Sequence, residues 1–322
     1  KYNAGAALSI SGADGYGLHP NLTGLLDLME NGQAAIVQGV GYPNPNRSHF
    51  TSTDIWHTGN HSGQGYGWLG RYFDNTCNGQ PNRKGSIAIG NRAPLALHGS
   101  TQKAVNFETE ELFRWAGSSG DASLEELYDN INRQEKVNNS MEDSQLDFLV
   151  RTSLDAQVSS DRIRTAVSKE PLVRYPGGQL AQQLQLIASM IRADLPTRVY
   201  YASLGGFDTH AAQGTVDGLL ADQLEDINAI VKILKDNLGD SFKNTLILTL
   251  TEFGRTIKQN GGNGTEHGWG SAILMAGGLI KKSQVFTDWP GLKKSDLFEA
   301  RDLKSTIDAR SVYMSAMATC FN

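Results

Sequence analysis

Twice in the second half of the chain an amphipathic helix pattern is followed by a short β-rich run and then by a polar cluster. The stripe Leu180, Leu184, Ile187, Met190 and Ile191 precedes Arg198-Val199-Tyr200-Tyr201-Ala202-Ser203-Leu204, which runs into Gly205-Gly206-Phe207-Asp208-Thr209-His210. The stripe Leu220, Leu224, Ile227, Val231 and Leu234 precedes Thr245-Leu246-Ile247-Leu248-Thr249-Leu250, which runs into Thr251-Glu252-Phe253-Gly254-Arg255-Thr256. Apolar residues at helical spacing bury one face. Strands that alternate with such helices point to a mostly parallel sheet covered on both faces. The spacing therefore predicts an α/β fold, doubly wound, with ligands collected where the strands end.

The first half carries the same grammar. Asn21 to Met29 has a helical stripe at Leu22, Leu25, Leu26 and Met29, and Ala34 to Val40 reads as a buried strand. A Pro/Asn turn at 42–47 opens a helix at Ser48 that runs through His57. Gly59 to Gly70 reads as an ordered loop. Further strands are predicted around 86–89, 93–97 and 271–276. Residues 121–170 are polar and acidic with sparse apolar positions. They predict a helical insertion or cap on one large domain spanning 1–322.

Bulk properties exclude several classes. The net charge is -5 with no basic stripe, which argues against nucleic acid as a partner. No apolar stretch approaches the roughly 18 residues of a membrane span. Only Cys77 and Cys320 occur, which rules out a zinc ribbon or a disulfide framework and leaves open one long-range disulfide or two thiols.

The candidate chemistry lies in four places. Asp208 and His210 follow a strand with two glycines before them. Each alone reads as a helix cap and a locally bonded imidazole. Glu252 at a strand end needs a partner, either Arg255 or a metal. His267 sits in the Gly-rich loop Gly261 to Gly268. Three such clusters in one half favour a divalent metal site over three separate local roles. The fourth place is Arg47-Ser48-His49. Ser48 at a helix N-terminus serves as an N-cap or as a nucleophile facing an anion, and Arg47 beside it suits a phosphate or sulfate oxygen.

Several long motifs carry a family resemblance. Gly17-Leu18-His19-Pro20, Val37 to Phe50, Asp54-Ile55-Trp56-His57, Ser203 to His210, Thr251 to Thr256 and Thr265-Glu266-His267-Gly268 resemble the bacterial domain-of-unknown-function 1501 family. The resemblance runs from about Gly17 to the C-terminus and is weakest over 121–170. That family is grouped with the alkaline phosphatase/sulfatase superfamily. The resemblance implies a doubly wound α/β core and a divalent metal site built by Asp208, His210, Glu252 and His267, holding zinc, manganese or calcium. It implies hydrolysis of a small anionic phosphate or sulfate ester, with Ser48 as nucleophile and Arg47 or Arg255 holding the anion. It also implies export, often by a twin-arginine signal, to the periplasm or cell surface. Two departures stand out. No Gly-Gly-Asn-Asp-Gly segment precedes Gly17, so the family's first strand and one ligand are expected to be either missing or trimmed from the sequence. Glu266 stands where Asp is commoner. The missing early Asp and the long polar 121–170 segment keep a second expectation in view, a non-catalytic surface or assembly protein on the same fold with a vestigial or structural metal site.

Overall fold

The computed structural model describes residues 6–76, 85–109, 123, 124, 126, 130 and 160–321. The chain opens with a small antiparallel pair, β1 (Leu8–Ser9) and β2 (Gly17–Leu18). Helix α1 (Thr23–Glu30) follows and leads into strand β3 (Ala34–Gly41). Helices α2 (His49–Thr58) and α3 (Trp68–Thr76) come next, then strands β4 (Ser86–Ile89) and β5 (Val105–Phe107). The predicted helix–strand units appear as α4 (Gln179–Arg192) with β6 (Val199–Tyr201) and α5 (Leu219–Leu238) with β7 (Ile247–Leu248). Strands β8 (Ser271–Ala276), β9 (Val285–Phe286) and β10 (Ile307–Asp308) and helix α6 (Ala309–Phe321) complete the described elements.

Strand β3 is nearly all apolar because it is central. It pairs with β8 on one side and with β9 and β10 on the other, and β7 extends the sheet beyond β8. A strand buried on both faces must be apolar throughout rather than alternating. Ala34 and Ile36 face a core built with α1, α4 and α5. Val37 and Val40 face the opposite core, made with Ile55 and Trp56 of α2 and Val312 and Tyr313 of α6. Val37 and Val40 share a face only because the register shifts between Gln38 and Val40. Gly39 at φ +71° supplies that bulge, and a Cβ there would stand 2.5 Å from Thr306 Oγ1.

A second sheet, β5–β4–β6, is wholly parallel. Ile87 and Ile89 pack with Ile187 and Met190 of α4 on one face, and Ala88 packs with Leu69 and Leu97 on the other. The expectation of an α/β protein with both sheet faces covered is met.

The expectation of a single, mostly parallel sheet is not met. Strand β8 runs antiparallel to both β3 and β7. A parallel neighbour to β7 would need a crossover helix, and residues 249–270 contain none. The predicted strand at 93–97 is instead a 3-10 turn at Leu95–Leu97, started by Pro94 and closed by Leu97 N–H to Pro94 C=O at 3.0 Å. Strand β5 was hidden by its brevity. The predicted insertion at 121–170 lies almost wholly outside the described residues. Its tail, 160–167, is helical and sends Ile163 and Val167 into the core, so that part is not a cap. The loop expected over Gly59 to Gly70 ends early, as α3 begins at Trp68. Cys77 lies outside the described residues, and Cys320 is a half-buried free thiol. Among the described residues no helix is long and apolar enough to cross a membrane.

Side chains from distant elements do the capping that local sequence leaves undone. Helix α1 has no side-chain cap of its own. Asn228 of α5 supplies one, with Oδ1 accepting from Gly24 N at 2.6 Å and Leu25 N at 3.1 Å. Asp74 of α3 likewise accepts the N–H groups of Ser100, Thr101 and Gln102 at 2.6, 3.0 and 2.7 Å. Burial opposes its charge, but these three donors hold its carboxyl below the usual range. A carboxyl depressed on folding stabilises above its unfolded value, near pH 4, and loses that contribution as pH falls through the folded value. Asp74→Asn is therefore expected to cost about 1 kcal/mol at neutral pH, discounted for solvent exposure. The difference from the wild type in thermal melts should shrink as the pH falls below about 4 and through the lower folded value. A gap that widens in acid would overturn this account.

Candidate metal centre

Antiparallel β8 decides where the third cluster arrives. Strand β7 runs out toward Glu252, and β8 starts beside the end of β3, with Ser271 opposite Val40. His267, just before β8, therefore reaches the rim that β3 and β7 leave. A parallel β8 would have put His267 at the far end of the sheet.

Backbone hydrogen bonds then pin the clusters to one another. Gly254 N–H bonds to Trp269 O at 2.9 Å and Gly268 N–H to Gly254 O at 2.7 Å. Thr256 N–H bonds to Glu266 O, and Thr265 N–H to Thr209 O. Gln213 Oε1 accepts both hydroxyls of Thr209 and Thr265, at 2.8 and 2.7 Å. The glycines are required by these close approaches. A Cβ on Gly254 would fall 1.9 Å from Gly270 O, and one on Gly264 would fall 2.2 Å from the carbonyl carbon of His210. Upstream, the buried Gln183 of α4 clamps Ser203 by both amide atoms, at 2.8 and 3.0 Å, which fixes where the Asp208 loop departs.

The result is a convergence of three imidazoles on one carboxylate. Asp208 Oδ2 lies 3.1 Å from His49 Nε2, and Oδ1 lies 2.9 Å from both His210 Nε2 and His267 Nε2. Each ring is held from behind through Nδ1. Glu252 Oε1 takes His49 Nδ1 at 2.6 Å, Glu266 Oε2 takes His210 Nδ1 at 2.8 Å, and the Arg47 carbonyl takes His267 Nδ1 at 2.7 Å. A ring that donates from Nδ1 presents a lone pair at Nε2. The lone-pair sides of His210 and His267 meet at 3.0 Å, next to an anionic oxygen. Such a set of acceptors calls for positive charge among them, supplied by Nε2 protons that bond to Asp208 or by a cation in their place. Metal-binding histidines are typically backed in this way by a carboxylate or a carbonyl. His49, Asp208 and His267 form a group whose donor atoms all lie within 4.8 Å of one another and could hold a metal ion.

The surroundings reinforce this. Phe253 stacks on His267 with centroids 4.5 Å apart and lies 4.9 Å from His49, an apolar backing for both rings. Arg255 Nη1 donates to Asp208 Oδ1 at 2.5 Å and is itself steadied by Thr265. Burial works against the Asp208 charge, but hydrogen bonds from Arg255, His49 and His267 outweigh it and hold the carboxyl well below the usual range. His49 is raised, first by its hydrogen bond to Glu252 and then by Asp208. The ring of His267 is 20% exposed and those of His49 and His210 about twice that, so the centre opens to solvent on one side.

The predicted site residues thus divide. Asp208, His210 and His267 meet face to face. Glu252 lies one ring away from the convergence, behind His49. Arg255 touches Asp208. Ser48 is the N-cap residue of α2, exposed, and its hydroxyl makes no cap hydrogen bond. Arg47 turns away from the centre. Its guanidinium grips Asp302 at 2.7 Å and Glu299 at 2.6 Å, so only its carbonyl serves the site. In the sequence His49 stands out only within the Arg47-Ser48-His49 segment, with no role of its own, although it is the first residue of α2, next to Ser48.

Fold and site together define an α/β protein whose loops assemble a histidine-carboxylate candidate metal centre at one sheet rim. The family described as Protein of unknown function (DUF1501) matches residues 13–321, and the chain belongs to it. Comparison with curated proteins and with solved structures returned no match.

Proposed function

We propose that this chain is an exported, metal-dependent hydrolase of phosphate or sulfate esters, on a fold related to that of the alkaline phosphatase/sulfatase superfamily. One observation carries the reading: three imidazoles converge by Nε2 on Asp208, each held from behind at Nδ1. His49, His210, His267 and Asp208 would hold the cation, with Glu252, Glu266 and the Arg47 carbonyl orienting them. A nitrogen-rich set suits zinc or manganese better than calcium, which prefers oxygen ligands. A cation bound there would polarise an ester oxygen and ease ionisation of a nearby hydroxyl.

The chain's own groups supply the rest. Ser48 precedes His49 and leaves its hydroxyl free of the cap role, which suits attack on phosphorus or sulfur. The first N–H groups of α2 are unsatisfied within the helix and face the same end, where they favour an anion. Arg255 keeps Asp208 ionised. In the reaction the Ser48 oxygen bonds to phosphorus or sulfur as the bond to the alcohol oxygen breaks. The alcohol leaves with a proton, and water then cleaves the serine ester to restore the hydroxyl.

Metal analysis of the purified chain and turnover of nitrophenyl phosphate and sulfate with added zinc or manganese test this. Bound metal is expected, with turnover lost in Ser48→Ala while metal content stays. Metal without turnover across the ester panel would instead support a non-catalytic centre, and no metal at all would sink the proposal.

A further inference from the structure

Behind His267 stands a second layer of charge. Asp302 is completely buried. Arg47 grips its Oδ2 with Nε at 3.1 Å and Nη2 at 2.7 Å, and Arg301 Nε lies 3.0 Å from Oδ1. The same two arginines hold His267. The Arg47 carbonyl accepts from its ring, and Arg301 Nη2 donates to its backbone carbonyl. One buried carboxylate thus organises both groups that fix this residue.

Asp302 is delivered by an unusual hairpin. Phe298 and Asp302 pair across it, and Arg301 N–H closes the turn on Phe298 O at 3.0 Å. Its central residues, Glu299 and Ala300, have φ of +51° and +54°. Turns with two such residues normally use Asn and Gly, because a Cβ is strained there. A strained turn persists where its surroundings over-determine it. Here the surroundings are the hydrogen bonds from Arg47 to Asp302 Oδ2, with Arg301 beside Oδ1 as an ion pair that does not complete a hydrogen bond.

We propose that Asp302 is a positioning residue of the metal centre. It sets Arg47 and Arg301, and through them aims His267 Nε2 at Asp208. The inference rests on the metal-centre reading above. A merely structural ion pair in this place would affect folding but not metal affinity through His267.

Zinc titration of the full chain against a chelator, with circular dichroism and melting of the metal-free protein, separates the two. Asp302→Asn is expected to weaken zinc binding by up to about 10-fold, the lower end of what a direct partner of a ligand is worth, because Asp302 acts one residue further out. In a His267→Ala background the same change should do nothing further. Ala300→Gly should raise the melting temperature and leave zinc affinity unchanged. If Asp302→Asn does not fold, Arg301→Gln should show weakened zinc binding in its place. Unchanged affinity in the folded variant, or an equal loss without His267, overturns the proposal. A wild-type chain that binds neither zinc nor manganese overturns the metal-centre reading along with it, whereas wild-type binding with an unaffected Asp302→Asn overturns this inference alone.

Discussion

Asp208→Ala is expected to abolish metal binding at the candidate centre while leaving the fold in place. The Asp208 carboxylate is the one group that all three imidazoles face, and Arg255 is its counter-charge. Removing it leaves three ring nitrogens with no anion among them and an unpaired guanidinium at the mouth. Metal content should fall beyond the roughly 100-fold that an outer partner is worth. If the hydrolase reading holds, a loss of about 4 kcal/mol of transition-state stabilisation corresponds to about 10³-fold in kcat/KM. Glu252→Gln is the informative comparison. Glu252 touches His49 Nδ1, so its loss should weaken metal binding only by about 10–100-fold. Equal losses in the two variants would make Glu252 a ligand in its own right. Full metal content in Asp208→Ala would remove the centre from where we place it.

Gly254→Ala should have the largest effect on stability. The new Cβ would stand 1.9 Å from Gly270 O and 2.7 Å from its carbonyl carbon. Both are backbone atoms, so no side chain can swing aside. Either the Gly254–Trp269 and Gly268–Gly254 hydrogen bonds break or β8 shifts along the sheet. The expected cost is at least about 3 kcal/mol, the upper end of overpacking penalties, together with loss of metal binding because His267 is displaced. Denaturant melts with metal titration on the folded fraction would check this. A variant that melts like the wild type would mean that the two loops are not locked as described. Gly205→Ala is the control, since a Cβ there meets nothing within 4 Å.

Much of this architecture could be read before any coordinates. Helical stripes at 180–191 and 220–234 lie on α4 and α5, and the apolar runs after them are β6 and β7. These signals are strong because each is a burial pattern: a helix shows its apolar stripe and a short buried strand its β-rich run. Ser48 at a helix start was legible for a similar local reason, since a polar residue after a Pro/Asn turn marks the change of backbone. The strand expected at 93–97 failed because Pro94 sets a turn as readily as a strand edge, and Leu95 to Leu97 pack as a single turn.

What the sequence by itself determined is the set of chemical groups and the elements that carry them. Asp208, His210, Glu252 and His267 stood out as polar residues placed where apolar strands end or in a glycine-rich loop. What only the tertiary structure decided is which atoms face one another. The direction of β8 depends on pairing with β3 and β7, and no residue within β8 encodes it locally. That direction brings His267 to Asp208. The roles of His49 and Arg47 depend on partners roughly 200 residues or more away: Glu252 turns His49 into the centre, and Asp302 turns the Arg47 guanidinium out of it. Local patterns record which face of an element is buried. Which partner completes a buried or charged group is set by long-range packing, and the candidate metal centre is made of such completions.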